Sequence, residues 1–187
     1  MSEKINKISV VLGKRGMGKT YQTKQMVEFQ SRVVVFDSVR SFDLPDYKVV
    51  ESVEELEKIM QQDTFRVRVW DEYNEEAGDF FDRVCELVYD HEDLIFIVDE
   101  VDNYCGSSYC NQGFRKIINY GRHKNIEVIV TARRAADIPK LVIGEATEFF
   151  FFQMIEPNQL KYLSGIYDGD VEKIKELPKH EHIHFKT

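Results

Sequence analysis

The sequence lacks the cysteine pattern of a disulfide-stabilised or zinc-binding protein. Its three cysteines, Cys85, Cys105 and Cys110, are odd in number and have no Cys-x-x-Cys spacing. Such a set fits neither a disulfide framework nor a structural zinc site. We therefore expect reduced cysteines and a cytoplasmic location.

Long apolar runs are also missing. None approaches the roughly 20 residues that a membrane-spanning helix needs, so we expect no transmembrane segment. Residues 1–7 lead directly into an apolar strand, which predicts no signal peptide. A chain of 187 residues can bury a core without disulfides. We predict one domain over residues 1–187.

Positive charge is scarce. The 25 lysines and arginines face 33 aspartates and glutamates, for a net charge of -8. This balance excludes a broad basic face, so any contact with nucleic acid has to be local.

Six apolar runs alternate with helical patterns. The predicted strands are 8–12, 32–36, 65–70, 94–98, 126–131 and 148–152. The predicted helices lie near 19–30, 52–61, 75–90, 111–120, 137–143, 157–164 and 169–176. Alternation of this kind, with strands apolar on both faces, predicts an α/β fold in which helices flank a mainly parallel central sheet.

A phosphate-binding loop follows the first strand. Gly13, Gly18, Lys19 and Thr20 form a Walker A pattern, Gly-x-x-x-x-Gly-Lys-Thr, between a strand and a helix. The glycines let backbone N–H groups surround phosphates, Lys19 reaches the β- and γ-phosphates, and the Thr20 hydroxyl binds Mg²⁺. We expect ATP to contact Gly13, Lys14, Arg15, Gly16, Met17, Gly18, Lys19, Thr20 and Tyr21.

Two acidic residues follow the predicted strand 94–98. Asp99 stands where a Walker B aspartate holds Mg²⁺ near Thr20. Glu100 follows directly, where it can accept a proton from an attacking water. The alternative is a solvent-facing glutamate in a charged loop. Two predicted strands separate Lys19 from Asp99 in the sequence, which favours the RecA-like, additional-strand class of P-loop NTPases with a catalytic glutamate.

Arginines bracket the strand 126–131. Arg122 precedes it, whereas Arg133 and Arg134 follow it, and six strand residues separate the two ends by about 20 Å. Because ligands bind beyond the carboxyl ends of parallel strands, Arg122 can reach only a neighbouring subunit's ATP. Arg115 is a second candidate for that role. Arg133 and Arg134 are placed to act on the chain's own nucleotide or at the subunit boundary, and solvated surface charge is the alternative for each arginine.

Two further polar features have open interpretations. Thr131, at the end of its strand, is placed to orient the attacking water, or else is a buried threonine bonded to backbone. His180, His182 and His184 alternate, which predicts one face of a strand; they could bind a metal or belong to a half-exposed terminal strand.

The order of these motifs resembles the HerA/FtsK superfamily of DNA-translocating ATPases over nearly the full chain. The similar segments are VLGKRGMGKTYQ, VVVFDSVRSFD, LIFIVDEVDNY, INYGRHKNIEVIVTARRAADIPKLVIGEATEFFFFQM and LKYLSGIYDGDVEKIKELPKHEHIHF. In that family the arginine after glycine acts in trans, which implies the same for Arg122. The family usually has glutamine at the strand tip, where this chain has Thr131 and Ala132.

A motor core of this size without further domains is similar to the genome-packaging ATPases of tailless, membrane-containing viruses. The resemblance implies a homo-oligomeric ring, by analogy a hexamer, that moves double-stranded DNA into a capsid in the host cytoplasm or the virion. Capsid or membrane-vertex proteins are possible partners. Loops 37–43 and 103–113 are candidates for the DNA-contacting pore, or are ordinary connections.

Other functions remain compatible with these motifs. An ATPase for morphogenesis, secretion, plasmid mobilisation or chromosome processing would have the same site, so DNA dependence has to separate it from a packaging motor. A small P-loop kinase would need a lid of arginines for its own phosphates and no hydrolytic glutamate. Glu100 and the position of Arg122 argue against the kinase.

Overall fold

The computed structural model describes residues 7–37, 39–70 and 77–187. Strands β1–β8 span Ile8–Leu12, Arg32–Asp37, Lys48–Val50, Phe65–Val69, Leu94–Asp99, Ile126–Ala132, Glu148–Phe151 and Ile183–Lys186. Helices α1–α7 span Lys19–Met26, Val53–Met60, Ala77–Asp90, Gln112–Tyr120, Lys140–Glu145, Pro157–Leu163 and Val171–Glu176. All six predicted strands and all seven predicted helices are present, although the predicted start of the third helix, at 75, lies outside the described residues.

The strands form one sheet in the order β3-β4-β2-β5-β6-β1-β7-β8. Neighbouring strands pair in parallel except β7 and β8, which pair antiparallel. The prediction of a mainly parallel sheet is confirmed. Strand β6 lies between β1, which leads into the phosphate loop, and β5, which ends in Asp99, so the additional-strand arrangement is also confirmed.

Burial explains which segments form central strands. All residues of β1 and β5 are buried, as expected for strands covered on both faces. Strand β4 differs, because Arg66 and Arg68 alternate with buried apolar residues. Their guanidinium groups donate to backbone carbonyls of Val27, Glu28 and Phe42. These hydrogen bonds connect β4 to the segments that follow α1 and β2.

Helix α4 forms as its apolar spacing predicts, with Phe114, Ile117 and Ile118 buried. It ends at Tyr120, as predicted, with Gly121 at the C-cap position. Gly121 has an ordinary right-handed φ of -57°, and the chain continues through a 3-10 turn, Gly121–Lys124. The left-handed residue that ends this turn is Asn125, with φ 55°. Gly121 therefore does not stop the helix by a left-handed cap; a β-carbon there would lie 3.4 Å from Ile126.

The core lies on both faces of the sheet. A large cluster packs β strands against α2 to α7, and a smaller one on the other face includes Val27, Phe42, Tyr47 and Phe152. The sequence prediction omitted β3, a three-residue edge strand, and treated β8 only as a terminal strand. Within the described ranges, no helix has the length and hydropathy needed to cross a membrane.

Candidate active site

The phosphate loop is shaped by three glycines with positive φ. Gly13, Gly16 and Gly18 have φ values of 150°, 80° and 111°, which residues with a side chain rarely adopt. A β-carbon on Gly13 would lie 2.5 Å from the Phe152 β-carbon. Glycine is therefore required at position 13 both by conformation and by the close approach of the chain after β7.

Lys19 is inside this loop. Its Nζ donates to the Gly13 carbonyl at 2.7 Å, and only 8% of the residue is exposed. Burial lowers the pKa of Lys19, while the carboxylates of Glu100 and Asp99 act in the opposite direction. An ammonium group with so little hydration is ready to exchange its carbonyl contact for phosphate oxygens.

Asp99 is buried at the end of β5 and is held by two hydroxyl groups. Thr131 Oγ1 donates to Oδ1 and Ser41 Oγ donates to Oδ2, both at 2.6 Å. Burial raises the pKa of Asp99 despite these hydrogen bonds, and repulsion from Asp37 and Glu100 adds to the effect. A buried carboxylate of this kind fits a divalent cation.

Thr131 links Asp99 to Glu100. Its hydroxyl donates to Asp99 and accepts from the Glu100 backbone N–H at 2.9 Å, and the residue is fully buried. The buried, hydrogen-bonded alternative for Thr131 is thus the arrangement present in the structure. A role in orienting water stays a prediction.

Glu100 has a left-handed backbone, with φ 49° and ψ 60°, and its side chain is only 13% exposed. This excludes the solvent-facing alternative. Arg133 holds both carboxylate oxygens through Nε and Nη2. The hydrogen bonds to Glu100 raise the pKa of Arg133. The arrangement places Arg133 in the chain's own site.

Sequence reasoning missed Ser41 as a site residue. Asp37 accepts hydrogen bonds from the backbone N–H groups of Ser41 and Phe42, at 2.9 and 3.0 Å, and so folds the chain after β2 into a tight turn. That turn directs the Ser41 hydroxyl to Asp99. The acidic residue at the end of β2 was the available signal, since a short carboxylate caps backbone N–H groups that follow it.

These groups line a cleft of about 610 Å³ at the carboxyl edge of the sheet, within the usual size range of ligand sites. Its lining residues are Arg15, Gly16, Gly18, Lys19, Thr20, Tyr21, Val39, Ser41, Asp99, Glu100, Arg133, Lys179 and His180. Six of the nine predicted nucleotide contacts and both acidic residues therefore line one cleft, together with residues from two segments that the motifs did not include. Gly13, Lys14 and Met17 are not among the lining residues.

Arg122 lies elsewhere. It belongs to the 3-10 turn before β6, at the opposite edge of the sheet from the phosphate loop. Arg115 is exposed on α4, and Arg134 pairs with Glu156 at 3.2 Å. Among the described residues that line the cleft, Arg15 and Arg133 are the arginines. The in-trans roles of Arg122 and Arg115 and the nucleotide role of Arg134 stay predictions.

The three histidines do not share one strand face. Only His184 belongs to β8, where its Nε2 lies 2.9 Å from the Glu148 carboxylate. The His182 ring packs against Phe150 and Phe152. His180 precedes the strand in a left-handed conformation and lines the cleft. The prediction of a common face is wrong for His180, because the chain turns before β8 begins.

No group of three or more histidines, cysteines, aspartates or glutamates that could hold a metal occurs in the described part of the chain. Asp99 and Thr20 nevertheless fit Mg²⁺ as nucleotide enzymes bind it, since Mg²⁺ uses one or two protein groups together with substrate phosphates and water. The metal site of this cleft would thus be completed by the nucleotide.

The chain matches no protein-family model and no curated protein sequence. Solved structures do match. The genome packaging NTPase B204 from Sulfolobus turreted icosahedral virus 2, in complex with ATP-gammaS, has a TM-score of 0.81 at 18% identity, covering 97% of this chain and 92% of that chain.

Two further structures are similar. B204, the DNA-packaging ATPase from Sulfolobus turreted icosahedral virus, has a TM-score of 0.68 at 19% identity, covering 98% of this chain and 93% of that one. ATPases 2 and 3 of EssC from Geobacillus thermodenitrificans have a TM-score of 0.58 at 14% identity, covering 98% of this chain and 38% of that chain. The chain thus has the P-loop NTPase fold of these packaging NTPases.

Proposed function

We propose that the chain is an ATP-hydrolysing DNA translocase of the HerA/FtsK type that packages a viral genome as a homo-oligomeric ring. The observation that carries the ATPase assignment is the meeting of Lys19, Asp99 and Glu100 in one cleft. The similarity in fold to viral packaging NTPases over more than nine-tenths of both chains supports the packaging role.

Each residue of the cleft has a distinct task in this proposal. The backbone N–H groups of the phosphate loop and the Lys19 ammonium bind the phosphates of ATP. Thr20 and Asp99 hold Mg²⁺, with Ser41 and Thr131 orienting the Asp99 carboxylate. Mg²⁺ neutralises charge that develops on the phosphate oxygens.

Glu100 is the proposed general base. Its carboxylate accepts two hydrogen bonds from Arg133 in the structure, so neither oxygen is directed only at an attacking water. Each oxygen keeps a second acceptor site, with which Glu100 can still bind an attacking water. Arg133 also lines the cleft, so its guanidinium is placed to bind a phosphate oxygen.

Arg122 is the proposed arginine supplied in trans. It stands on the edge of the sheet opposite the chain's own phosphate loop. Such an arginine stabilises charge in phosphoryl transfer and raises the rate on the order of 10³–10⁵-fold. A ring would bring this edge of one subunit to the cleft of the next.

Two loops are proposed to follow DNA through the ring. In loop 37–43, Phe42 is buried and Ser41 binds Asp99, whereas Val39, Arg40 and Asp43 are exposed; Ser38 lies outside the described residues. Loop 103–113 buries both Cys105 and Cys110 but leaves Tyr109 61% exposed. Both loops begin at the carboxyl edge of the sheet, next to the cleft. Both loops therefore stay candidates for the DNA contact.

Steady-state ATP hydrolysis at high protein concentration, with and without linear double-stranded DNA, tests the proposal. We expect DNA to increase hydrolysis, and Glu100→Gln to reduce it by about 10²–10⁴-fold, since the amide cannot accept the proton. Arg83→Ala is the control, because Arg83 pairs with Glu54 on the surface and does not line the cleft.

The outcomes separate the candidates. Hydrolysis that ignores DNA but disappears in Glu100→Gln would favour an ATPase for assembly or secretion over a DNA translocase. Equal hydrolysis by wild type and Glu100→Gln would remove Glu100 from the chemistry. A hexameric ring and binding to capsid or membrane-vertex proteins also remain part of the packaging proposal. Binding to those proteins has to be tested with virus particles.

A further inference from the structure

The cleft extends past the phosphate loop on the side away from the acidic residues. Asp99 ends β5, Glu100 follows it and Arg133 follows β6, on one side of β1 in the sheet order. Lys179 and His180 precede β8, on the other side of β1. In the proposed function, the phosphates and Mg²⁺ bind at the end of the cleft that contains the acidic residues. The opposite end, lined by Tyr21, Lys179 and His180, is therefore left for the rest of the nucleotide.

The turn that carries His180 is fixed to the phosphate loop. The His180 backbone N–H donates to the Met17 carbonyl at 3.0 Å, and the Glu181 N–H donates to the Pro178 carbonyl at 3.2 Å. His180 has φ 70°, and its Nδ1 would lie 2.9 Å from a β-carbon on Gly18. Backbone hydrogen bonds thus hold His180 against the phosphate loop. The imidazole fits there because Gly18 has no side chain.

Tyr21 supplies a second ring at this end. It directly follows Thr20 on the first turn of α1, and 61% of the residue is exposed. The centroids of the Tyr21 and His180 rings lie 6.5 Å apart, at an interplanar angle of 71°. The phenol oxygen accepts a hydrogen bond from Gln25 Nε2 at 3.0 Å, which orients the ring. One ring can thus stack on a planar ligand while the other meets its edge.

We propose that Tyr21 and His180 form the base-binding end of the cleft and select purine nucleoside triphosphates by stacking, with little discrimination between adenine and guanine. This inference rests on the proposed nucleotide chemistry of the same cleft. Stacking favours the larger surface of a purine and tolerates either one, because both present a π face. The lining side chains at this end, Tyr21, Lys179 and His180, are exposed to water. Their polar groups are therefore hydrated, which is unsuited to distinguishing the polar edges of two purines.

Calorimetric titration in the presence of Mg²⁺ tests this assignment with four ligands: ATP, GTP, CTP and inorganic tripolyphosphate. Tripolyphosphate has the phosphates without the base. We expect wild type to bind ATP and GTP within about threefold of each other, and CTP and tripolyphosphate more weakly. Loss of one stacking ring is worth about 5- to 150-fold in affinity.

Tyr21→Ala and His180→Ala are therefore expected to weaken binding of ATP by about 5- to 150-fold and to leave binding of tripolyphosphate unchanged. Tyr21→Phe keeps the ring and is expected to bind ATP as wild type does. Phe29→Ala is the matched control, because Phe29 is a 90% exposed ring just beyond α1 and outside the cleft lining. Unchanged tripolyphosphate binding also shows that the variants keep a folded phosphate loop.

Alanine variants that bind ATP as tightly as wild type would overturn the inference and leave the proposed ATPase intact. Equal affinity for ATP and CTP would overturn the selection of purines. Wild type that binds tripolyphosphate as tightly as ATP and GTP would overturn the proposed base site. Wild type that binds neither ATP nor tripolyphosphate would overturn the proposed function together with the inference.

Discussion

At the scale of single residues, the candidate site depends on hydroxyl groups around one buried carboxylate. Ser41 and Thr131 each donate to a different oxygen of Asp99. Thr131 also accepts from the Glu100 N–H, so the two acidic residues are positioned together. The carboxylate is oriented but still desolvated, which raises its pKa. Its charge therefore costs folding free energy until a cation binds.

Asp99→Asn is expected to stabilise the nucleotide-free protein while abolishing Mg²⁺-dependent hydrolysis. The pKa of Asp99 is raised above 3.8 in the folded state, chiefly by burial. Ionisation therefore costs stability at neutral pH, and a neutral amide of the same shape removes that cost. Thermal unfolding without nucleotide should show a higher melting temperature for the variant at pH 7.

The matched measurement at low pH provides the control. Near pH 3 the wild-type Asp99 carboxyl is itself protonated, so the advantage of Asp99→Asn in melting temperature should shrink there. A variant that melts below wild type at pH 7 would contradict the desolvation argument.

At the scale of elements, the phosphate loop and the chain after β7 form one packed unit. The Lys14 N–H donates to the Gln153 carbonyl at 3.0 Å, and Gly13 leaves no space between itself and Phe152. The shape of the loop is therefore decided partly by a strand more than 130 residues later in the chain.

Gly13→Ala is expected to destabilise the fold by about 1–3 kcal/mol through overpacking and to weaken nucleotide binding. The added β-carbon would meet Phe152 at 2.5 Å, at a φ of 150° that alanine rarely adopts. Gly144→Ala is the control, since nothing lies within 4 Å of a β-carbon there and Gly144 is in helix α5. We expect that change to stabilise by about 0.5–1 kcal/mol. Urea unfolding measures both, and equal stability of the two variants would contradict the packing argument.

A buried carboxylate joins the three neighbouring strands β1, β7 and β8. Glu148 on β7 accepts from Ser9 on β1 at 2.6 Å, and its other oxygen lies 2.9 Å from His184 on β8. Burial acts to raise the pKa of Glu148, but the hydrogen bonds from Ser9 and His184 and the charge of Lys7 lower it overall. The stability that this group contributes is therefore fully present above pH 4.5 and is lost as the pH falls through its lower folded-state pKa.

We expect Glu148→Gln to lose less unfolding free energy than wild type between pH 5 and pH 3, because the variant has no carboxylate to protonate at this position. Urea unfolding at closely spaced pH values measures the difference. The control is Glu172→Gln, at an exposed glutamate of α7 that pairs with Lys175 at 3.6 Å. Parallel pH profiles of unfolding free energy for wild type and Glu148→Gln would show that the Glu148 carboxylate contributes nothing to the pH dependence of stability.

At the scale of the whole molecule, the sheet separates the cleft from the arginine that we propose to act in trans. Its carboxyl edge carries the cleft, and its amino edge carries Arg122. A single chain thus has a phosphate site and an arginine that cannot meet within that chain. Head-to-tail association of identical subunits would join them, as in a heterologous, ring-forming interface.

Mixing two inactive variants tests this arrangement. Arg122→Ala keeps a working cleft but supplies no arginine, whereas Lys19→Ala supplies the arginine but lacks the cleft lysine. We expect each variant alone to hydrolyse little ATP. In an equal mixture about a quarter of the interfaces should combine an intact cleft with an intact arginine, since subunits associate at random. Partial recovery of ATPase activity at high protein concentration is the expected result.

Mixing Arg122→Ala with the double variant Lys19→Ala, Arg122→Ala is the control, because no interface then has both groups. Recovery in that mixture would contradict the assignment. Full activity of Arg122→Ala alone would remove Arg122 from the chemistry.

The local sequence pattern was sufficient to predict much of the fold and of the candidate site. A buried strand followed by glycines, lysine and threonine predicts a phosphate loop, because only glycine adopts the required φ values. An apolar run ending in Asp99 and Glu100 predicts a strand that delivers both carboxylates to the carboxyl edge. The additional-strand order was predictable as well, since two strands intervene between Lys19 and Asp99 in the chain. These features depend on neighbours in sequence.

Other features were decided by tertiary structure. Ser41, Arg133 and His180 come from three different segments, and their partners Asp99, Glu100 and Gly18 lie far away in sequence. Whether Arg133 pairs with Glu100 or extends into solvent depends on the distance between the ends of β5 and β6, which no local pattern contains. The same holds for His180, whose turn reaches the phosphate loop only after β7 and β8 have paired antiparallel at the edge of the sheet.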